Sequence, residues 1–165
     1  GLKTAPGRFE QMHGPNHKMA IVDYAHTPDA LENVLKTIQA IRQKHQHIIT
    51  VVGCGGNRDA GKRPIMAALA AQYSDQVVLT SDNPRFEDPE MILDQMQAGI
   101  LEGDADKVIR ISDRKQAIEQ AIQGLANTGD IVLVAGKGHE TYQDIQGVKH
   151  DFDDKQVISE AFAKV

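Results

Sequence analysis

The 165 residues include a single cysteine, Cys54, no tryptophan, and only 3 tyrosines and 4 phenylalanines. One cysteine cannot close an internal disulfide, and no Cys/His set has zinc-finger spacing. A covalent or zinc staple is therefore excluded, and a reducing, cytoplasmic setting is expected. No apolar run approaches the ~18 residues of a membrane span, and the N-terminus lacks the charged-then-apolar pattern of a signal peptide, so no membrane partner is expected. Basic residues are in deficit too: 18 Lys plus Arg stand against 23 Asp plus Glu, a net charge of −5. That balance argues against a nucleic-acid partner, because binders of a phosphate backbone carry a basic surplus. An initiator methionine is also missing; the chain begins Gly1-Leu2, as a piece of a longer protein would. What is present is ordinary for a folded domain, with 41% hydrophobic residues. On ~100–200 residues per domain this length predicts one domain, able to bury ~70% of its unfolded surface.

Short apolar runs rich in β-branched residues alternate with longer stretches whose apolar positions recur every three or four residues. The runs are Met19 to Asp23, His47 to Gly53, Gln76 to Thr80, Lys107 to Ile111 and Asp130 to Ala135. Several are apolar on consecutive positions, as strands covered on both faces must be. Thr27-Pro28 and Asp88-Pro89 are helix starts, an N-cap followed by an N1 proline. Asp113 can cap a further helix, Pro64 opens a shorter one, and a last helix is expected from Asp153 to Ala163. Tyr142 to Phe152, with Gly147 in its middle, reads as a hairpin. The expected fold is α/β: a Rossmann-like, mostly parallel sheet with helices on both faces. Residues 1–14 read as an arm or interdomain connection, and residues 15–165 as the domain.

In such sheets ligands bind beyond the carboxyl ends of the strands. The loops that enter strands are short and chemically bland. Those that leave strands are Asp23-Tyr24-Ala25-His26-Thr27, Gly53-Cys54-Gly55-Gly56-Asn57-Arg58-Asp59, Ser81-Asp82-Asn83-Pro84-Arg85 and Gly136-Lys137-Gly138-His139-Glu140. Nearly every chemically versatile residue thus falls at one edge of the sheet. Gly56 to Lys62 matches G-x-x-x-x-G-K, the start of a phosphate-binding loop, but Arg63 stands where a Ser or Thr hydroxyl must reach Mg²⁺. The dinucleotide fingerprint fails as well, with Arg58 in the third glycine position. Asn83-Pro84 is turn chemistry, whereas Arg85 offers a planar fork suited to a carboxylate or phosphate. His26 could act as a base or a phosphate donor, although a lone histidine near a helix start is more often structural. Cys54, just after an apolar strand, reads as a small buried side chain. No metal-ligand cluster and no nucleophilic triad stands out.

Together the loops offer Arg58, Arg85 and Lys137 beside Asp23, Asp59, Asp82 and Glu140. Both signs in one crevice suit a zwitterion such as an amino acid better than a polyphosphate alone. Three readings remain open on the residues: a domain of an amino-acid-handling enzyme, a nucleotide kinase built on Gly56 to Lys62, and a non-catalytic zwitterion-binding module.

The ordered set Pro6-Gly7-Arg8, Asp23-Tyr24-Ala25-His26-x-Pro28, Gly53-x-Gly55-Gly56-x-Arg58-Asp59, Asp82-Asn83-Pro84-Arg85 and Lys137-Gly138-His139-Glu140 resembles the C-terminal domain of the Mur ligases. It is similar in particular to the members that add meso-diaminopimelate, and the likeness spans essentially the whole chain. The resemblance implies ATP-dependent amide-bond synthesis in peptidoglycan assembly. The D-glutamyl carboxylate of the UDP-MurNAc-dipeptide is phosphorylated to an acyl phosphate and then attacked by the incoming amine. It implies that Arg58, Asp82, Asn83, Pro84, Arg85, Gly136 and Glu140 belong to the diaminopimelate site. Arg8, Asp23, Tyr24 and His26 would lie near the nucleotide. Arg85 is expected to select diaminopimelate, since lysine lacks the second carboxylate and would leave the guanidinium desolvated and unpaired. In this family ATP and Mg²⁺ are held mainly by a central domain. No cofactor is therefore required by this chain itself, and ligase activity is not expected of it alone. The resemblance assigns no catalytic base.

Overall fold

Runs such as Ile48–Val52 and Ile131–Ala135 can be buried at every position only if both faces of their strand are covered. In the computed structural model, which describes residues 6–165, both are. Six strands form one sheet: β1 (Glu10–His13), β2 (Met19–Asp23), β3 (Ile48–Val52), β4 (Gln76–Leu79), β5 (Val108–Arg110) and β6 (Ile131–Ala135). Their order is β1-β2-β6-β3-β4-β5, parallel except for β1. Successive residues of one strand serve opposite cores. Ile21 and Leu133 pack with Leu35, Ile38, Met66 and Leu93 of helices α1 (Pro28–Ile41), α2 (Lys62–Tyr73) and α3 (Pro89–Gln97). Their neighbours Val22 and Val134 pack on the other face against Ile118, Ile122 and Ile158. That face is covered by α4 (Arg114–Glu119), its π-helical continuation Gln120–Leu125, and α5 (Asp154–Ala163). Each such side chain contributes roughly 1.5–3 kcal/mol on burial.

The helix starts are made by side chains the sequence marks. Thr27, Asp88, Asp113 and Asp153 each accept a backbone N–H one turn in, an arrangement worth about 1 kcal/mol per cap. Two boundaries differ from expectation. Helix α2 begins at Lys62, and Pro64 is its third residue, where the missing N–H costs nothing because first-turn donors have no intrahelical partner. Glu10–His13, expected as part of an arm, is instead the antiparallel edge strand. An edge strand pairs on one side and is only half covered, so it needs no apolar run. Residues 1–5 of the expected arm lie outside the described residues. The hairpin is present as β7 (Tyr142–Ile145) and β8 (Val148–Asp151), a two-stranded sheet of its own. No described helix is long and apolar enough to cross a membrane.

β6 inserts between β2 and β3 on a connection that returns from the far strand β5; the chains leaving β2 and β3 pass to α1 and α2 on one face, whereas the chain leaving β6 passes on to α5 on the other. That reversal is where an open α/β sheet leaves a crevice at its carboxyl edge.

Candidate functional site

At that edge the strand-end loops enclose a cavity of about 320 Å³. Arg58, Asp82, Asn83, Arg85, Gly136 and Glu140 of the expected amino-acid site all line it, as do Tyr24 and His26. Pro84 does not; it borders a neighbouring hollow. A larger hollow, about 550 Å³, is bordered by Lys115, Asp151, Asp153 and Glu160 and by none of the four strand-end loops. Volume alone is therefore a poor guide to where the chemistry collects.

The loops after β3 and β4 interlock. Gly56 N–H donates to the Asn83 carbonyl at 2.7 Å, and Arg85 Nη1 donates to the Gly56 carbonyl at 2.8 Å. A side chain at Gly56 would run into the Pro84 carbonyl. Arg85 itself has a φ of +52°, a left-handed conformation that costs a bulky residue roughly 1 kcal/mol or more. The hairpin holds it there: Arg85 N–H donates to the Asp144 carbonyl at 3.0 Å, and Gln146 N–H donates to the Arg85 carbonyl at 2.7 Å.

Arg63 explains why the phosphate-loop pattern breaks off. Its side chain is 1% exposed and turned inward. Nη2 donates to the Gly55 carbonyl at 2.9 Å and to Glu87 at 2.8 Å, and Nη1 to Gln95 at 2.8 Å. Glu87 in turn accepts the Asn57 N–H. Hydrogen bonding to Arg63, aided by that N–H, holds the Glu87 carboxyl below its ordinary range. A guanidinium so engaged clamps the glycine loop from beneath and leaves no hydroxyl for Mg²⁺. Lys62 donates to the His26 carbonyl at 2.7 Å and lines the cavity.

Lys137 is placed differently from the crevice cation that the sequence suggests. It is 0% exposed and lies under the site. Nζ donates to Asn83 Oδ1 at 2.8 Å and to the Tyr142 carbonyl at 2.9 Å. It also lies 2.9 Å from Asp82 Oδ1 and 3.9 Å from Glu140 Oε1. The Asp82 contact is a close ion pair bent off hydrogen-bonding geometry, and that oxygen has no other partner among the described residues. Burial pushes the Lys137 ammonium below its ordinary 10.5, with Asp82 opposing the shift. Gly136 sits at φ +116°, a backbone conformation that favours glycine, and a Cβ there would also crowd Asp82 Oδ2 at 3.1 Å.

The four residues expected near a nucleotide divide in two. Asp23 points away from the cavity: Oδ1 accepts Phe9 N–H at 2.8 Å and Oδ2 accepts Ala25 N–H at 2.9 Å, so it organises its own loop. Tyr24 and His26 meet edge to face at 4.6 Å, and the Arg8 guanidinium stands 5.9 Å from the Tyr24 ring, outside the cavity lining. Cys54 is buried as expected, and desolvation pushes its thiol up to about 12. Tyr142, expected only as part of the hairpin, also lines the cavity; the signal for it is its position two residues after Glu140.

Comparison with known proteins gives one consistent answer. The family model described as Mur ligase, glutamate ligase domain, matches residues 7–138. The chain is 59% identical over 159 residues to the UDP-N-acetylmuramoyl-L-alanyl-D-glutamate--2,6-diaminopimelate ligase of Cytophaga hutchinsonii, covering 96% of this chain and 32% of that protein. The ligase of the same name from Phocaeicola vulgatus is 56% identical over 162 residues, 98% of this chain and 33% of its own. A solved structure of a ligase with that name superimposes with a TM-score of 0.88 at 46% identity, over 99% of this chain and 32% of the other. The chain thus spans about a third of the length of the curated relatives it matches.

Proposed function

The chain belongs to the Mur ligase family, and from that premise we propose that it is the amino-acid-binding, C-terminal domain of an ATP-dependent ligase. That enzyme joins meso-diaminopimelate to UDP-N-acetylmuramoyl-L-alanyl-D-glutamate in cytoplasmic peptidoglycan synthesis. The observation that carries the reading is the arrangement of charge in the cavity. The guanidinium groups of Arg58 and Arg85 and the carboxylates of Asp82 and Glu140 line one space of about 320 Å³. A ligand with carboxylates and ammonium groups at its ends pairs with both sets, whereas an anion alone would face two carboxylates.

In this reading Arg58 and Arg85 take carboxylates as planar forks, and Asp82 and Glu140 take ammonium. The substrate's D-glutamyl carboxylate is activated as an acyl phosphate, and the amine displaces phosphate to form the amide. The contribution of this chain is to bind and orient the amine, which turns a bimolecular encounter into a positioned one. ATP and Mg²⁺ belong to the remainder of the enzyme. The residues from Gly56 to Arg63 do not fit a magnesium–phosphate cradle, because Arg63 is buried, with both terminal nitrogens bonded to Gly55, Glu87 and Gln95. The same fact weighs against a nucleotide kinase.

The test is an amide chemical-shift titration of this chain with meso-diaminopimelate, with L-lysine in parallel. Shifts confined to Arg58, Asp82 to Arg85 and Gly136 to Glu140, and absent with lysine, are expected. Equal responses to both amino acids, or none to diaminopimelate, would remove the reading that this chain carries the selective site.

A further inference from the structure

Lys137 has the burial and partners of a group that acts on the site from below. Asn83 Oδ1 receives two donors at once, Lys137 Nζ at 2.8 Å and the Asp144 N–H at 2.9 Å. Neither an ammonium nor a backbone amide can accept a hydrogen bond, so the Asn83 amide has one allowed orientation, with its oxygen inward. Its Nδ2 is left on the Glu140 side, 3.4 Å from Oε1, where the cavity lies. A second segment is tied down at the same point: Lys137 holds the Tyr142 carbonyl, and Gln143 Nε2 donates to the Asp82 carbonyl at 2.8 Å.

We propose that Lys137 is a positioning residue that sets the polarity of the site: by fixing the Asn83 oxygen inward it makes Asn83 a hydrogen-bond donor to a ligand carboxylate or carbonyl, and by pairing with Asp82 it lets two carboxylates share one cavity. The inference deepens the reading above and rests on it for the identity of the ligand. Two carboxylates facing one small space repel. A buried ammonium 2.9 Å from one and 3.9 Å from the other offsets that repulsion and leaves both facing the ligand's ammonium. Asn83 Nδ2 then stands as a neutral donor beside Glu140, within reach of a ligand carboxylate or carbonyl next to the ammonium that Asp82 and Glu140 hold. Without the ammonium only the Asp144 N–H holds the oxygen inward, so the amide turns more readily and presents oxygen, which repels a carboxylate.

The charged groups around Lys137 are Asp82 and Glu140, which favour its charge, and Arg114 of α4, which opposes it. The experiment uses this chain, whose sheet is covered on both faces by its own helices. With the ligand absent, the Lys137 Cε shift is followed as pH rises from about 7 through the ordinary lysine range. The Asn83 side-chain amide and the Asp144 backbone amide are expected to shift with the same midpoint, below 10.5. Independence of these signals from the Lys137 titration would overturn the proposal. In parallel, Lys137→Met should weaken meso-diaminopimelate binding roughly ten- to a hundredfold, and unchanged affinity would also overturn it. If the unaltered chain does not bind meso-diaminopimelate, the substrate reading fails. The ligand-free titration still decides the role of Lys137, as it does if Lys137→Met fails to fold.

Discussion

Arg114 and Asp154 form an ion pair with both side chains fully buried, Nε and Nη2 each 2.8 Å from a separate carboxylate oxygen. The remaining guanidinium donors reach the carbonyls of Ser81, at 3.0 Å, and Ala135, at 3.3 Å, the residues immediately before Asp82 and Gly136. Burial opposes the charge on Arg114, but Asp154 more than offsets it and holds the guanidinium above its ordinary value. One pair thus joins α4 and α5 to the ends of β4 and β6, directly beneath the site.

Breaking that pair from one side leaves a buried charge with no counterion. Asp154→Ala is expected to destabilise the chain by about 3–5 kcal/mol. Urea denaturation monitored by circular dichroism measures it, and a loss below about 1 kcal/mol would show that water reaches Arg114.

Arg63→Ser completes the pattern G-x-x-x-x-G-K-S on paper. The variant is expected to lose stability and to gain no magnesium-dependent ATP binding, because the position points into the protein and clamps Gly55 and Glu87. Isothermal titration with Mg-ATP decides this; micromolar binding by the variant would show that the loop is a dormant phosphate cradle.

Arg85 is both strained and placed to bind. Arg85→Ala and Arg85→Gly should lose meso-diaminopimelate binding alike, by roughly 1–3 kcal/mol. Their stabilities should differ, with glycine about 1 kcal/mol the more stable, since only the Cβ is penalised at φ +52°. Paired thermal melts and titrations separate the two effects, and equal melting temperatures would remove the strain.

Glu87 sets part of the acid limit. Its folded pKa lies below the ordinary 4.5 because Arg63 and the Asn57 N–H stabilise the anion. Its contribution to stability is therefore complete above about pH 4.5 and lost as pH falls through the lowered folded value. Glu87→Gln should flatten the acid side of the stability–pH curve below 4.5 and leave its alkaline side unchanged, as read by urea midpoints across that range.

Cys54 is expected to resist thiol reagents in the native state, since its thiol is buried and titrates at about 12. Reaction with Ellman's reagent should appear only with unfolding, in step with the loss of circular dichroism. Rapid labelling at neutral pH would mean that the loop after β3 opens.

Strands, helix starts and the crowding of chemistry at one sheet edge were legible in the chain because each is written in local order. Alternation, capping residues and proline act within a few positions of themselves. The same local order put Arg58, Arg85, Asp82 and Glu140 in the strand-end loops, and the family resemblance added Asn83 and Gly136; the fold brings these six to one cavity. The direction of a side chain is not local. Nothing in the local sequence marks Arg63, Arg114 and Lys137 as inward-facing, yet all three are buried beneath the carboxyl edge. Their partners Glu87, Asp154 and Asp82 are 24, 40 and 55 residues away in the sequence. The edge strand Glu10–His13 was invisible for a related reason: it is held by backbone pairing to β2, which leaves no periodic trace in an edge that stays half exposed. The sequence by itself determined which residues are available at the site. Only the tertiary structure decided which of them face a ligand and which hold the others in place, because a buried charge is stable only where a distant segment supplies its counterion.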